Sequence, residues 1–236
     1  MAGNTYRTLR EEAFEANLEI PRRNLAIYTW GNVSAYDPEK GVFAIKPSGV
    51  SYDELTVEAI VVVDLEGAIV DGGLNPSSDT ETHRVLYREF GKDIRGITHT
   101  HSPYGVAWAQ ARSSVPVFGT THADHAADEI PCTEIMSVEA VKGDYERETG
   151  NLIVETFRKK GINPAHMPMV LVAGHGPFTW GKTAAQSIYH GAVLEEVCKM
   201  ALLTLTLNPK AEALPEHIIK KHWERKHGPN AYYGQR

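Results

Sequence analysis

The chain has 236 residues, 42% of them hydrophobic and 23% charged, enough to bury a core without disulfide or metal staples. Its formal net charge of −6 argues against a chain-wide field for nucleic acid or anionic lipid. The two cysteines, Cys132 and Cys198, form no CxxC pair, the apolar runs are too short to span a bilayer, and Glu11-Glu12 stands where an export signal would be apolar. These features predict a cytoplasmic protein with reduced thiols and no membrane partner.

Residues 5–20 read as an amphipathic helix with Leu9, Phe14 and Leu18 on one side, stopped near Pro21. Strand-like pieces follow at Leu25–Thr29, Asn32–Tyr36, Val42–Ile45 and Ile60–Asp64, separated by Gly and Pro turns. A helix over Thr80–Phe90 places Thr82, Val85, Leu86 and Phe90 inward. Gly96–His101 reads as a strand closed by Ser102-Pro103, with a helix to Gln110. Helices over Glu148–Lys159, Thr183–Leu205 and Pro215–His227 and a buried strand over Met169–Ala173 complete the pattern. The mixture predicts a layered α/β or α+β fold. With no linker, repeat or low-complexity tract, one domain over residues 1–236 is expected.

The placement of the 11 histidines is informative. His99 and His101, two apart on a strand, project from one face, and neutral imidazoles side by side begin a site for Zn²⁺ or a similar ion. His175 lies in Gly174-His175-Gly176-Pro177, where the flanking glycines let the chain turn sharply. Asp79, at the start of a helix, could add a carboxylate. Each also has a plainer reading: a hydrogen-bonded His pair, a buried histidine donating to a carbonyl, and a helix cap.

Seven segments occur in order: Trp30-Gly31-Asn32-Val33-Ser34, Lys46-Pro47-Ser48-Gly49-Val50, Ser77-Ser78-Asp79-Thr80, His99-Thr100-His101-Ser102, Gly119-Thr120-Thr121-His122-Ala123-Asp124, Gly174-His175-Gly176 and Ala231-Tyr232-Tyr233-Gly234-Gln235. In this arrangement the chain closely resembles the L-ribulose-5-phosphate 4-epimerases of the class II (metal-dependent) aldolase and epimerase superfamily, from about residue 10 to residue 235. The resemblance implies a single three-layer α/β domain whose largely antiparallel central sheet is flanked by helices. It implies a zinc-type ion (Zn²⁺, or another divalent metal such as Mn²⁺ or Co²⁺) held by His99, His101 and His175, with Asp79 as a further ligand or close neighbour. It implies a homotetramer with active sites between adjacent subunits.

The implied substrate is a pentulose 5-phosphate inverted at C4 in pentose catabolism. The C4 proton is β to the C2 carbonyl and not acidic, so inversion needs either transient oxidation or cleavage and remaking of the C3–C4 bond. No GxGxxG follows a strand, so the oxidative route lacks a recognisable dinucleotide site. Retro-aldol chemistry fits better, with a Lewis-acid cation stabilising the enediolate. The resemblance assigns proton transfer at the C4 oxygen to Asp124 and Tyr233, without saying which serves which face. It assigns the phosphate to Gly31, Asn32, Ser48, Gly49, Ser77 and Ser78, with Lys46 adding charge nearby. On the last helix, His222 and Arg225 share a face, and the resemblance implies that they reach a neighbouring subunit's substrate. Glu146 is a weaker candidate for a subunit contact. A class II aldolase cleaving a ketose 1-phosphate of the fuculose type is the nearest rival, set apart by Asp79 where the aldolases carry Glu. A non-catalytic metal-binding protein would explain the histidines but not the phosphate-type segments.

Overall fold

A computed structural model describes residues 5–229 and 231–232. In chain order the elements are α1 (Arg7–Arg22), β1 (Asn32–Asp37), β2 (Val42–Ile45), β3 (Val61–Asp64), β4 (Ile69–Asp71), α2 (Thr80–Phe90), β5 (Gly96–His99), α3 (Pro103–Ala111), α4 (Thr120–Ala123), α5 (Val138–Lys142), α6 (Tyr145–Lys160), β6 (Met169–Val172), β7 (Gly176–Gly181), α7 (Ala184–Leu207) and α8 (Glu216–His227). The strands form one antiparallel sheet in the order β4-β3-β2-β1-β5-β7-β6.

Both faces of the sheet are buried, as the period of two along a strand allows. Phe43 and Ile45 of β2 and Val61 and Val63 of β3 join a core with α2 and α6, whereas Val42, Ala44 and Val62 join another with α1 and the start of α7. Helices on both faces make the three layers that the resemblance implied. Helix α7 packs on β5, β7, α1 and α3. No helix among the described residues is long and apolar enough to cross a membrane.

Two local expectations are corrected. Leu25–Thr29 is not a strand: Asn24 and Tyr28 take positive φ of 56° and 54°, which breaks any extended run. Helix α1 ends at Arg22, near Pro21 as expected, with the proline held in its last turn. The strand carrying the HxH pair ends at His99, so His101 lies just past it. Strands β4 and β7 were not anticipated, and in β7 the sequence Gly176-Pro177-Phe178-Thr179-Trp180-Gly181 carries the residues that usually mark turns.

The topology gathers several chain segments at one edge of the sheet. Strand β5 lies between β1 and β7, and its last residue, His99, pairs with Asn32 at the start of β1 and with Phe178 near the start of β7. Strands β6 and β7 form a hairpin closing on the Val172–Gly176 pair, so Ala173, Gly174 and His175 are its loop. Gly174 supplies the left-handed residue of that loop, with φ +72°.

Candidate active site

The three histidines meet. His99 Nε2 lies 3.1 Å from His101 Nε2, and one ligating atom from each of His99, His101 and His175 falls within 4.8 Å of the others. The Pro177 carbonyl, 3.0 Å from His99 Nδ1, can only accept, so Nδ1 carries the hydrogen and Nε2 presents a lone pair. A backbone partner fixing the tautomer in this way is the usual support for a metal-binding imidazole. Burial, reinforced by His175 and then His101, pushes His99 well below the usual histidine range. Burial likewise lowers His101 and His175 against the opposing charge of Asp79. Three imidazoles held neutral, two with nitrogens at contact distance, suit a divalent cation: zinc–nitrogen bonds of about 2.0–2.1 Å span a tetrahedral edge of about 3.3 Å. The buried His175 Nδ1 has no hydrogen-bond partner among the described residues.

Asp79 precedes the first residue of α2, yet its side chain does not cap that helix. It turns instead to Asn32, whose Nδ2 donates to Asp79 Oδ2 at 2.6 Å and to Ser77 Oγ at 3.1 Å. The cap alternative is thus set aside, and the carboxylate lines the histidine cavity. One turn further along α2, the buried His83 bonds Ser34 Oγ at 2.7 Å, and that hydroxyl meets Tyr87 Oη at 2.7 Å. Burial pushes His83 down to about 3, so it stays neutral.

A cavity of about 560 Å³ opens over the cluster, and Gly31, Asn32, Lys46, Ser48, Gly49, Ser77 and Ser78 all line it together with Asp79 and the three histidines. Every residue expected on the phosphate side therefore faces the same space. Gly31 has φ +76°, and a Cβ there would stand 2.8 Å from the His99 carbonyl oxygen, so only glycine fits. Lys46 is buried, its Nζ donates to the Val50 carbonyl at 2.5 Å, and burial pulls its pKa down to about 8.

Sequence reasoning missed Tyr145 on this wall and gave Glu146 only a weak role at a subunit contact, though both line the cavity. The Tyr145 ring lies 6.2 Å from that of His175, and the Trp30 ring lies 5.9 Å from that of His101. The only local signal was a helix start at Asp144, which caps α6 by accepting from Arg147 N.

Asp124, His222 and Arg225 also meet, but in a second cluster. Asp124 ends α4, and α8 packs across it, with Arg225 and His222 bonded to its carboxylate in the same chain. None of the three is among the residues lining the histidine cavity. Burial pushes the Asp124 carboxyl upward, but hydrogen bonds from Arg225 and His222 and the charge of Lys226 outweigh it and hold it below the usual range. Tyr233 lies outside the described residues.

Comparison with known proteins agrees with this architecture. Residues 11–202 match the family described as "Class II Aldolase and Adducin N-terminal domain". The chain is 47% identical over 228 residues to the L-ribulose-5-phosphate 4-epimerase UlaF of Salmonella paratyphi C, covering 97% of this chain and 99% of that protein. The Salmonella typhi protein of the same name is 46% identical over the same coverage. Among solved structures, an L-fuculose 1-phosphate aldolase superposes with a TM-score of 0.78 at 23% identity, covering 95% of this chain and 97% of the other. The L-fuculose 1-phosphate aldolase of Glaciozyma antarctica PI12 does so with a TM-score of 0.75 at 18% identity, covering 95% and 84%. These structural likenesses carry the fold alone; with the family match and the close relatives, they establish that the chain belongs to the class II aldolase and adducin N-terminal domain family.

Proposed function

We propose that this protein is a divalent-metal-dependent sugar-phosphate epimerase that interconverts L-ribulose 5-phosphate and D-xylulose 5-phosphate by breaking and remaking the C3–C4 bond. The observation that carries this reading is the union, in one cavity, of three neutral imidazoles and a carboxylate with three loops of small, hydroxyl-bearing residues. The relatives at 46–47% identity carry the name of this activity.

His99, His101 and His175 would hold the ion, with Asp79 beside them, and Zn²⁺ is the first candidate, ahead of Mn²⁺ or Co²⁺. When bound, the cation supplies electrophilic polarisation of the C2 carbonyl and C3 hydroxyl, which lowers the barrier to C3–C4 cleavage. Gly31, Asn32, Ser48, Gly49, Ser77 and Ser78 receive the phosphate through backbone N–H groups, hydroxyls and an amide, with Lys46 adding charge. Asp124 and Tyr233, on opposite faces, take the proton from the C4 hydroxyl as the bond breaks and return one when the turned aldehyde is attacked on its other face. Since Asp124 lies apart from the histidine cavity of its own chain, its reading as a proton carrier requires a neighbouring copy. The exposed Met200, Leu203 and Leu207 at the end of α7 suit such an assembly, here read as a homotetramer in the cytoplasm.

The geometry at Asp79 favours epimerase over aldolase. Its short side chain is tied to Asn32 at 2.6 Å, the posture of a fixed ligand rather than of a base that moves to substrate. Supplying the metal-loaded protein with L-ribulose 5-phosphate and, separately, L-fuculose 1-phosphate tests the choice. Conversion of the first to D-xylulose 5-phosphate without net accumulation of fragments supports the proposal. Cleavage of the second with no conversion of the first assigns the protein to the aldolases.

A further inference from the structure

The Asp124 carboxylate is held from the α8 side. Arg225 donates to both its oxygens, Nε to Oδ1 at 2.9 Å and Nη2 to Oδ2 at 2.5 Å. His222 Nδ1 gives Oδ1 a second partner at 3.0 Å, and Lys226 Nζ stands 3.7 Å from Oδ2, outside hydrogen-bond range. His227 Nε2 meets the Asp124 backbone carbonyl at 3.0 Å, which ties the main chain to the same helix. From the α4 turn His125 faces the carboxylate, and its Nε2 lies 2.7 Å from Tyr189 Oη of α7, with His190 beyond. Each carboxylate oxygen offers two lone-pair positions. Among the described residues those of Oδ1 are both taken, whereas Oδ2 has one bonded donor.

We propose that Arg225 is the positioning residue for Asp124: its two-point grip fixes the rotation of the carboxylate, leaving the open lone pair of Oδ2 as the place where a proton is taken up and given back. The inference rests on the reading of Asp124 as a proton carrier in the epimerisation. A planar guanidinium supplies two parallel bonds where an ammonium would supply one, so direction and charge come from the same residue. The pair is mostly shielded, with 25% of the Arg225 side chain and 11% of the Asp124 side chain exposed, so solvent does little to randomise it. Without Arg225, burial would act on Asp124 with less opposition and the carboxyl would hold its proton to higher pH.

The test compares wild type, R225Q, R225K and D124N in the metal-loaded enzyme, following kcat and KM for L-ribulose 5-phosphate from pH 5 to 9. The carboxyl carbon of Asp124 is titrated by NMR in the unloaded protein alongside. R225Q should lose about tenfold to a hundredfold in kcat, a share of the 10²–10⁴ that a positioned proton carrier contributes, with KM within about threefold of wild type. Its acid limb and its Asp124 NMR midpoint should both move to higher pH. R225K, which keeps the charge and loses the fork, should restore the acid limb while kcat stays low. An R225Q acid limb and NMR midpoint that coincide with wild type would overturn the proposal, as would a rise in KM at unchanged kcat, which marks a substrate contact. Where R225Q does not fold, an R225K enzyme with wild-type kcat overturns it. D124N separates the two layers: its inactivity supports the proton-carrier reading whatever Arg225 does, and full activity in D124N removes that reading and this inference together.

Discussion

Gly31→Ala places a methyl group where the fold has no room for one. Gly31 has φ +76°, a conformation that costs an ordinary residue about 1–2 kcal/mol. The added Cβ would also stand 2.8 Å from the His99 carbonyl oxygen and 3.4 Å from Thr100 Cα, both backbone atoms that cannot swing aside. Moving the end of β5 or the turn before β1 adds an amount of similar size, so the total loss is about 2–4 kcal/mol. For a chain of this length that lowers Tm by roughly 5–15 °C, at about 2–4 °C per kcal/mol. The displaced carbonyl belongs to His99, a proposed metal ligand, so zinc affinity, measured by competition with a chromogenic chelator, should fall as well. Gly49→Ala is the matched control. Gly49 has φ +70° with open space around its Cβ position, so it should lose only the conformational 1–2 kcal/mol and keep its zinc affinity. Apo Gly31→Ala melting within 1 °C of wild type, with unchanged zinc affinity, would refute the reasoning.

Three further outcomes are expected. Asn32→Ala removes the 2.6 Å donor to Asp79, and the loss of such an outer partner should weaken zinc binding about 10–100-fold, read in the same competition assay. Lys46, with its pKa lowered to about 8, loses its charge as pH rises through that value. KM for the sugar phosphate should therefore climb between pH 7.5 and 9.5, and Lys46→Arg, charged throughout, should flatten the climb. In the folded chain burial holds His83 near 3 and His122 near 4, whereas in the unfolded chain both titrate near 6.5. Depressed histidines bind protons only after unfolding. The stability they confer is thus present above about pH 6.5 and lost on acidification toward pH 4, at about 2.7 kcal/mol per pH unit for the two together. Urea melts of the apo protein from pH 7 to 4.5 check the slope, and His83→Gln should reduce it.

Where an element's local pattern and its tertiary role agree, it was legible from sequence. The HxH run, the Thr80–Phe90 helix and the Gly174-His175-Gly176 turn each carry their own signal, and each forms close to where it was expected. Leu25–Thr29 failed because strand propensity lost to two left-handed residues that the chain uses to leave α1. Strand β7 was hidden because its glycines and proline read as turns, although its central pairing with β5 is what brings Phe178 beside His99. Local pattern could not show the joining of distant segments. Asn32 reaches Asp79 across 47 residues and Arg225 reaches Asp124 across 101. Composition likewise gave no sign that Asp124 and the histidine cavity would form separate clusters in one chain, since helix periodicity fixes which residues share a face but not what that face meets.

The most direct measurement of the central claim is a coupled assay of zinc-loaded protein acting on L-ribulose 5-phosphate. D-xylulose 5-phosphate is followed before chelation, after chelation, and after zinc is returned, with His99→Asn in parallel. Conversion should be abolished by chelator, restored by zinc, and absent from His99→Asn at every zinc concentration that saturates wild type. Conversion that persists in the chelated protein, or in His99→Asn, would contradict the central claim.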